Sequence, residues 1–151
     1  ITALIIANFY GTYPRHDNYA RSSGFNLSKS DIETVKAIEK NANEDFIVLA
    51  NQMTSAAAVQ EFGFKQYYKE NIFYYPIPTG GNLYKQYIKM ANDYPSRQTM
   101  ETAMDITDVN LGYFVLNDYW WNSSQTKERA KQEANKWFRV SDSITVFVFS
   151  R

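Results

Sequence analysis

The chain has no cysteine and only one histidine, His16, among its 151 residues. The missing cysteine excludes disulfide staples, thiolate metal sites and thiol nucleophiles, and leaves the redox compartment open. A single histidine excludes a multi-histidine metal centre. Neither sign of charge is in excess: 16 Lys+Arg balance 16 Asp+Glu. Without a basic surplus, no nucleic-acid partner and no polybasic membrane anchor are expected. No apolar run approaches the ~20 residues that cross a bilayer. Glycine and proline are few, at 6 and 4. There is neither a Gly-x-Gly-x-x-Gly fingerprint nor a Gly-Lys-Ser/Thr loop, so the dinucleotide and nucleoside-triphosphate motifs are missing. No serine sits in a Gly-x-Ser-x-Gly elbow. No cofactor is implied.

What the chain does have is aromatic mass: 17%, with 12 Tyr and 10 Phe. Tyrosine joins an apolar body to a polar tip and so suits half-buried positions, ligand rims and interfaces. The length fits one domain over residues 1–151, large enough to bury roughly 70% of its unfolded surface.

Hydrophobic patterning places the elements. Residues 1–9 read as a strand buried on both faces. The chain opens inside this apolar run, as a domain taken from a longer polypeptide would. Residues 11–30 form a long polar connection of the kind that is functional or interfacial. Ser28, with Asp31 three residues on, starts a helix whose inner face carries Ile32, Val35 and Ile38. Residues 46–50 form a buried strand. Thr54 or Ser55 caps a short Ala-rich helix that Gly63 ends. Residues 72–77 form a third strand, and Pro76 puts it at an edge or strand end. After the turn at 78–82 comes a helix with Leu83, Tyr87 and Ala91 inward, and Pro95-Ser96 opens another. Asn110 and Gly112 bracket a turn into a strand at 113–116. Ser123 or Ser124 caps a long helix reaching about Phe138 with Trp137 inward, and residues 144–149 are the last strand. This alternation predicts an α/β fold: a Rossmann-like three-layer sandwich with a mostly parallel sheet of about five strands.

Ligands of such sheets sit beyond the carboxyl ends of the strands. That rule selects the segment 8–17, Asn51-Gln52, Thr79-Gly80-Gly81 and Asn117-Asp118. Asn51, Gln52 and Asn117 offer paired donors and acceptors to a sugar hydroxyl or an amide, although Asn and Asp also simply end strands. Thr79, Gly80 and Gly81 would aim backbone amides outward at a helix start. Arg15, His16 and Asp17 gather a cation, a base and a carboxylate, and Arg15 could clamp an anion; a solvated loop would look the same. Trp120 and Trp121 could stack on a sugar face, dock on a neighbour, or pack beneath the last helix.

Several segments together carry a resemblance: Tyr13-Pro14-Arg15-His16-Asp17-Asn18-Tyr19, Ile47-Val48-Leu49-Ala50-Asn51-Gln52, Ser55-Ala56-Ala57-Ala58, Tyr75-Pro76-Ile77-Pro78-Thr79-Gly80-Gly81, and Tyr113-Phe114-Val115-Leu116-Asn117-Asp118-Tyr119-Trp120-Trp121. They resemble the C-terminal soluble region of uncharacterised multi-pass bacterial membrane proteins. Those parents are similar to the C-type-fold membrane glycosyltransferases. The resemblance implies an extracytoplasmic domain anchored to the cell membrane by its parent, with the catalytic acid in a loop among the membrane helices. The partners it implies are those helices and a glycan or lipid-linked sugar. Oligosaccharyltransferases of that class carry Trp-Trp-Asp-Tyr-Gly; here Trp120-Trp121 is followed by Asn122-Ser123-Ser124, which lacks the acid, the Tyr and the Gly.

Three functions follow as expectations. The first is a non-catalytic domain of a glycosyltransferase-like membrane protein that aids glycan or acceptor binding. The second is a stand-alone ligand-binding or enzymatic α/β domain with its site at the strand ends. The third is a protein-interaction module using the Tyr/Trp surface.

Overall fold

A computed structural model describes residues 27–64, 66–77 and 79–151. The strand expected over residues 1–9 and the connection carrying Arg15, His16 and Asp17 lie outside the described residues.

The described chain opens with α1 (Lys29–Asn41), and its start is the one read from Ser28 and Asp31. The Ser28 hydroxyl accepts from the Asp31 amide while the Asp31 carboxylate accepts from the Ser28 amide, a reciprocal capping box. Strand β1 (Phe46–Leu49) is buried along its whole length. Helix α2 (Gln52–Phe62) follows and stops at Gly63, whose φ of 68° is one that glycine adopts freely. Its cap is Asn51, not Thr54 or Ser55: the Asn51 side chain accepts from the Thr54 amide.

The third expected strand contracts to a small hairpin, β2 (Tyr67–Tyr68) with β3 (Ile72–Phe73). Tyr74 and Tyr75 then run beside β1, where the Tyr74 carbonyl accepts from the Val48 amide at 2.8 Å. Helix α3 (Asn82–Ile88) passes into a π-helical turn over Lys89–Asp93. Helix α4 (Arg97–Thr107) is capped by Ser96 and buries Met100, Ala103 and Met104. Strand β4 (Leu111–Asn117) starts earlier than expected, so Gly112 lies within the strand and not in a turn. It has to be small there, because a Cβ at Gly112 would lie 2.5 Å from the Met100 sulfur. Its missing side chain is what lets α4 approach the sheet.

Helix α5 (Ser123–Glu133) ends five residues short of Phe138. The remainder is β5 (Lys136–Ser141), which turns at Asp142-Ser143 into β6 (Ile144–Ser150). Trp137 is therefore half-exposed on a strand, not inside a helix. Arg97 pins this corner: its guanidinium donates to the Glu133 carbonyl and the Asn135 side chain at 2.9 Å, and lies over the Phe149 ring.

The described sheet has four strands in the order β1-β4-β6-β5, and it is mixed. Only β1 and β4 are parallel; β6 runs antiparallel to both of its neighbours. The α/β class stands, while the mostly parallel sheet of five strands does not describe these residues. The difference arises at β5: a hairpin joins β5 to β6 where a crossover helix was expected.

Residue alternation divides the core in two. Phe46, Val48, Tyr113, Val115 and Val146 face α1 and α2. Ile47, Leu49, Phe114, Leu116 and Phe147 face α3, α4 and α5. Both faces are apolar, which is why β1, β4 and β6 read as near-continuous hydrophobic runs.

Candidate functional site

Strands β1 and β4 are parallel neighbours, yet the helices that follow them leave in opposite directions. Helix α2 packs on one face through Ala57 and Ala58. Helix α5 packs on the other through Ala130. This divergence is a topological switch point, and by the general rule for open α/β sheets such a point places a crevice beyond the carboxyl ends of the two strands.

Asn51 and Asn117 meet at that crevice. The Asn51 Nδ2 donates to Asn117 Oδ1 at 3.0 Å and also to the Tyr119 hydroxyl. Both asparagines are 6% exposed. Their amide orientations are fixed by a chain of constraints. The Thr54 backbone N–H can only donate, and it donates to the Asn51 side chain at 2.9 Å, so that atom is Oδ1. The outward Asn51 atom is then Nδ2, and the Asn117 atom it meets must be oxygen. Asn117 Nδ2 has no hydrogen-bond partner among the described residues.

Asp31 lies on the floor. It is 5% exposed and accepts from the Ser28 amide, the Ser28 hydroxyl and the Thr54 hydroxyl. The Tyr119 ring is 66% exposed while its hydroxyl tucks against Asn51. Partial burial pushes that phenol above its ordinary pKa, the Asp31 charge pushes it further, and the Asn51 hydrogen bond partly opposes both. The phenol thus stays protonated at neutral pH and keeps a proton to donate.

The loop after β4 holds Tyr119 in place. Asp118 pairs with Lys127 at 2.6 Å. The Ser123 hydroxyl donates to the Asp118 carbonyl. Asn122, at φ 72°, starts α5 without a side-chain cap, so neither Ser123 nor Ser124 caps it. Trp120 turns inward, packs edge-on to Tyr87 and donates to Asn92 at 2.9 Å. Asn92 sits in the π-helical turn, a local irregularity of the kind that recurs at functional sites. Trp121 turns outward and is 72% exposed.

The candidates read from the strand ends are thus divided. Asn51 and Asn117 are joined directly. Gln52 and Thr79 line a separate, largely apolar cavity of about 370 Å³ with Ala56, Val59, Phe64 and Ile77. Gly81 lines a smaller one of about 180 Å³ beside Asn71 and Tyr84. Gly80 is exposed in the turn at φ 90°, and α3 behind it is too short to offer a strong dipole. Trp120 and Trp121 do not act as a stacked pair. Arg15, His16 and Asp17 lie outside the described residues.

Sequence reading missed three contributors. Asp31 and Thr54 were read only as helix-start residues, and Tyr119 as one aromatic among several. Tyr119 lies two positions past the end of β4, and that position was its one available signal.

Among the described residues, no group of three or more His, Asp or Glu side chains is arranged to hold a metal ion, and no helix is long and apolar enough to cross a membrane. Comparison with family models, with curated proteins and with solved structures returned no match.

Proposed function

We propose that this chain is a non-catalytic carbohydrate-binding α/β domain that recognises a glycan at the crevice between β1 and β4. The observation that carries this reading is the Asn51–Asn117–Tyr119 cluster at the switch point, with the Asn117 Nδ2 donor unpaired among the described residues and the exposed Trp121 two positions along the chain from Tyr119. Sugars are bound by planar amides and by aromatic faces that cover the apolar side of the ring, and both are offered here. The resemblance to the soluble region of glycosyltransferase-like membrane proteins supports the same reading. On it, the domain belongs to a membrane-anchored parent, faces the extracytoplasmic side, and aids glycan or acceptor binding while catalysis resides in the parent. Helices on both sides of the sheet favour a Rossmann-like three-layer arrangement for the complete domain.

The test is calorimetric titration with a panel of neutral oligosaccharides, on the wild type and on Trp121→Ala. Saturable binding that Trp121→Ala weakens is expected. Binding that survives Trp121→Ala and Asn117→Ala together would place the ligand elsewhere, and no binding across the panel would end the reading.

One observation favours the interaction-module reading. Phe64, which lines the 370 Å³ cavity, stacks on Tyr67, and the two are 57% and 50% exposed. On that reading a protein partner buries this edge, and cross-linking at an amber-encoded photoprobe in place of Tyr67 would capture it.

A further inference from the structure

We propose that the cavity of about 370 Å³ beside α2 is a binding slot for a single-chain alkyl compound with one polar end. This is independent of the glycan reading: among its described lining residues are none of Asn51, Asn117 and Tyr119.

One wall of the cavity is a row on α2. Gln52, Ser55, Ala56 and Val59 line it, and their spacing of i, i+3, i+4 and i+7 puts them on one face of the helix. The row runs for about 10 Å along the helix axis. Its chemistry changes on the way. Gln52 and Ser55 stand in the first turn of α2, and Ala56 and Val59 continue the row with apolar side chains. Phe64, just past the helix stop at Gly63, extends the apolar lining beyond Val59. Ser55 and Ala56 are small, so the row forms a trough and not a ridge. A long trough that is polar at one end fits a chain with a head group; a ring would fill only part of it.

The cavity is poorly suited to water. A held water needs two to four polar partners. The Ser55 hydroxyl already donates to the Asn51 carbonyl at 3.0 Å. From the other side come Pro76, which has no N–H, and Ile77, whose N–H donates to the Tyr75 carbonyl at 2.8 Å. No charged side chain lines the cavity among the described residues, so nothing there favours a charge along the length of a ligand. Replacing such water by methylenes is favourable, and the volume lies in the range of small-molecule sites. The Gln52 amide both donates and accepts, and so can meet a neutral head group at the open end of the row.

The experiment follows the methyl signals of Ala56, Val59 and Ile77 in a ¹H–¹³C spectrum of the intact chain, titrated with butanol, hexanol, octanol and decanol. Saturable shifts at these methyls are expected. Affinity should rise about fourfold with each added methylene until the chain outgrows the trough. Phenylethanol has the carbon count of octanol and should bind several-fold more weakly. Ala56→Leu fills the middle of the trough and should weaken octanol binding at least tenfold, because two or more methylenes lose their place. Should that variant fail to fold, the wild-type titrations decide by themselves. Equal or tighter binding of phenylethanol would overturn the proposal, and so would an affinity that does not change with chain length. Shifts that do not saturate, or that fall on other methyls, would mean partition onto the surface at large and would also overturn it. Absence of binding by all four alcohols would end it. None of these outcomes bears on the glycan reading.

Discussion

Tyrosine serves two opposite purposes in this molecule. Tyr74 and Tyr75 are fully buried, pack edge-on to one another, and their hydroxyls have no hydrogen-bond partner among the described residues. Tyr119 has an exposed ring and a hydrogen-bonded hydroxyl. In the core the residue acts as apolar mass, and its polar tip is a liability. At the crevice the tip is the useful part, and the ring is left for a ligand. The same division holds more broadly. The two faces of the sheet are held by apolar packing, while the end of β1 and β4 is held by a short relay of polar groups. The interior should tolerate loss of a hydroxyl; the end of β1 and β4 should not tolerate loss of an amide.

The largest effect should come from the apolar side. Phe114 is fully buried and stacks on Phe147, so Phe114→Ala should lower unfolding free energy by about 3–5 kcal/mol in urea titrations. Asn51→Ala comes next, at about 2 kcal/mol. It removes the α2 cap and leaves Asn117 Oδ1 without its donor; a loss under about 0.5 kcal/mol would mean the relay does not hold the crevice together. Gly112→Ala should cost about 1–3 kcal/mol by forcing Met100 aside. Tyr75→Phe should change stability by less than about 0.5 kcal/mol or raise it, because no hydrogen bond is lost. A clear destabilisation there would reveal a polar contact in the core and blur the contrast.

A pH series sharpens the same comparison. Burial pushes the Tyr68 phenol up to about 12, and pushes those of Tyr74, Tyr75 and Tyr87 higher still. A raised folded pKa means the unfolded chain gives up its proton first. The stabilisation from these phenols is then complete below pH 10 or so and is lost as pH rises from there through about 12. Denaturation midpoints measured from pH 8 to 12 should be flat and then fall. A curve that stays flat to pH 12 would contradict the burial of these hydroxyls.

Much of the fold was legible from burial patterns. Strands β1, β4 and β6 are runs of apolar residues because both faces are covered, and the starts of α1 and α4 were marked by Ser28 and Ser96. Strand β5 was not legible. Lys136 and Arg139 continue the charged pattern of α5 with Trp137 as an apparent inward position, and no glycine or proline marks the break at Ala134. The helix yields there because pairing with β6 offers Phe138 and Val140 a place on the sheet, a tertiary gain that local propensity does not register. The site was half legible. Strand-end logic picked out Asn51 and Asn117 separately, but their pairing spans 66 positions and depends on β1 and β4 being neighbours. The roles of Asp31 and Tyr119 depend on the same adjacency. Thr79-Gly80-Gly81 satisfied the same rule and joins no such cluster, since its strand contracts to a hairpin away from the switch point.

The most direct test of the crevice is to watch the Asn117 side-chain amide itself. In a ¹H–¹⁵N spectrum, the Asn51 and Asn117 NH₂ pairs, assigned with Asn51→Asp and Asn117→Asp variants, are followed during titration with a neutral sugar. A saturable shift of the Asn117 pair, with the Trp121 indole signal moving in step, is the predicted result. Signals that stay fixed at those positions while other residues shift would contradict it.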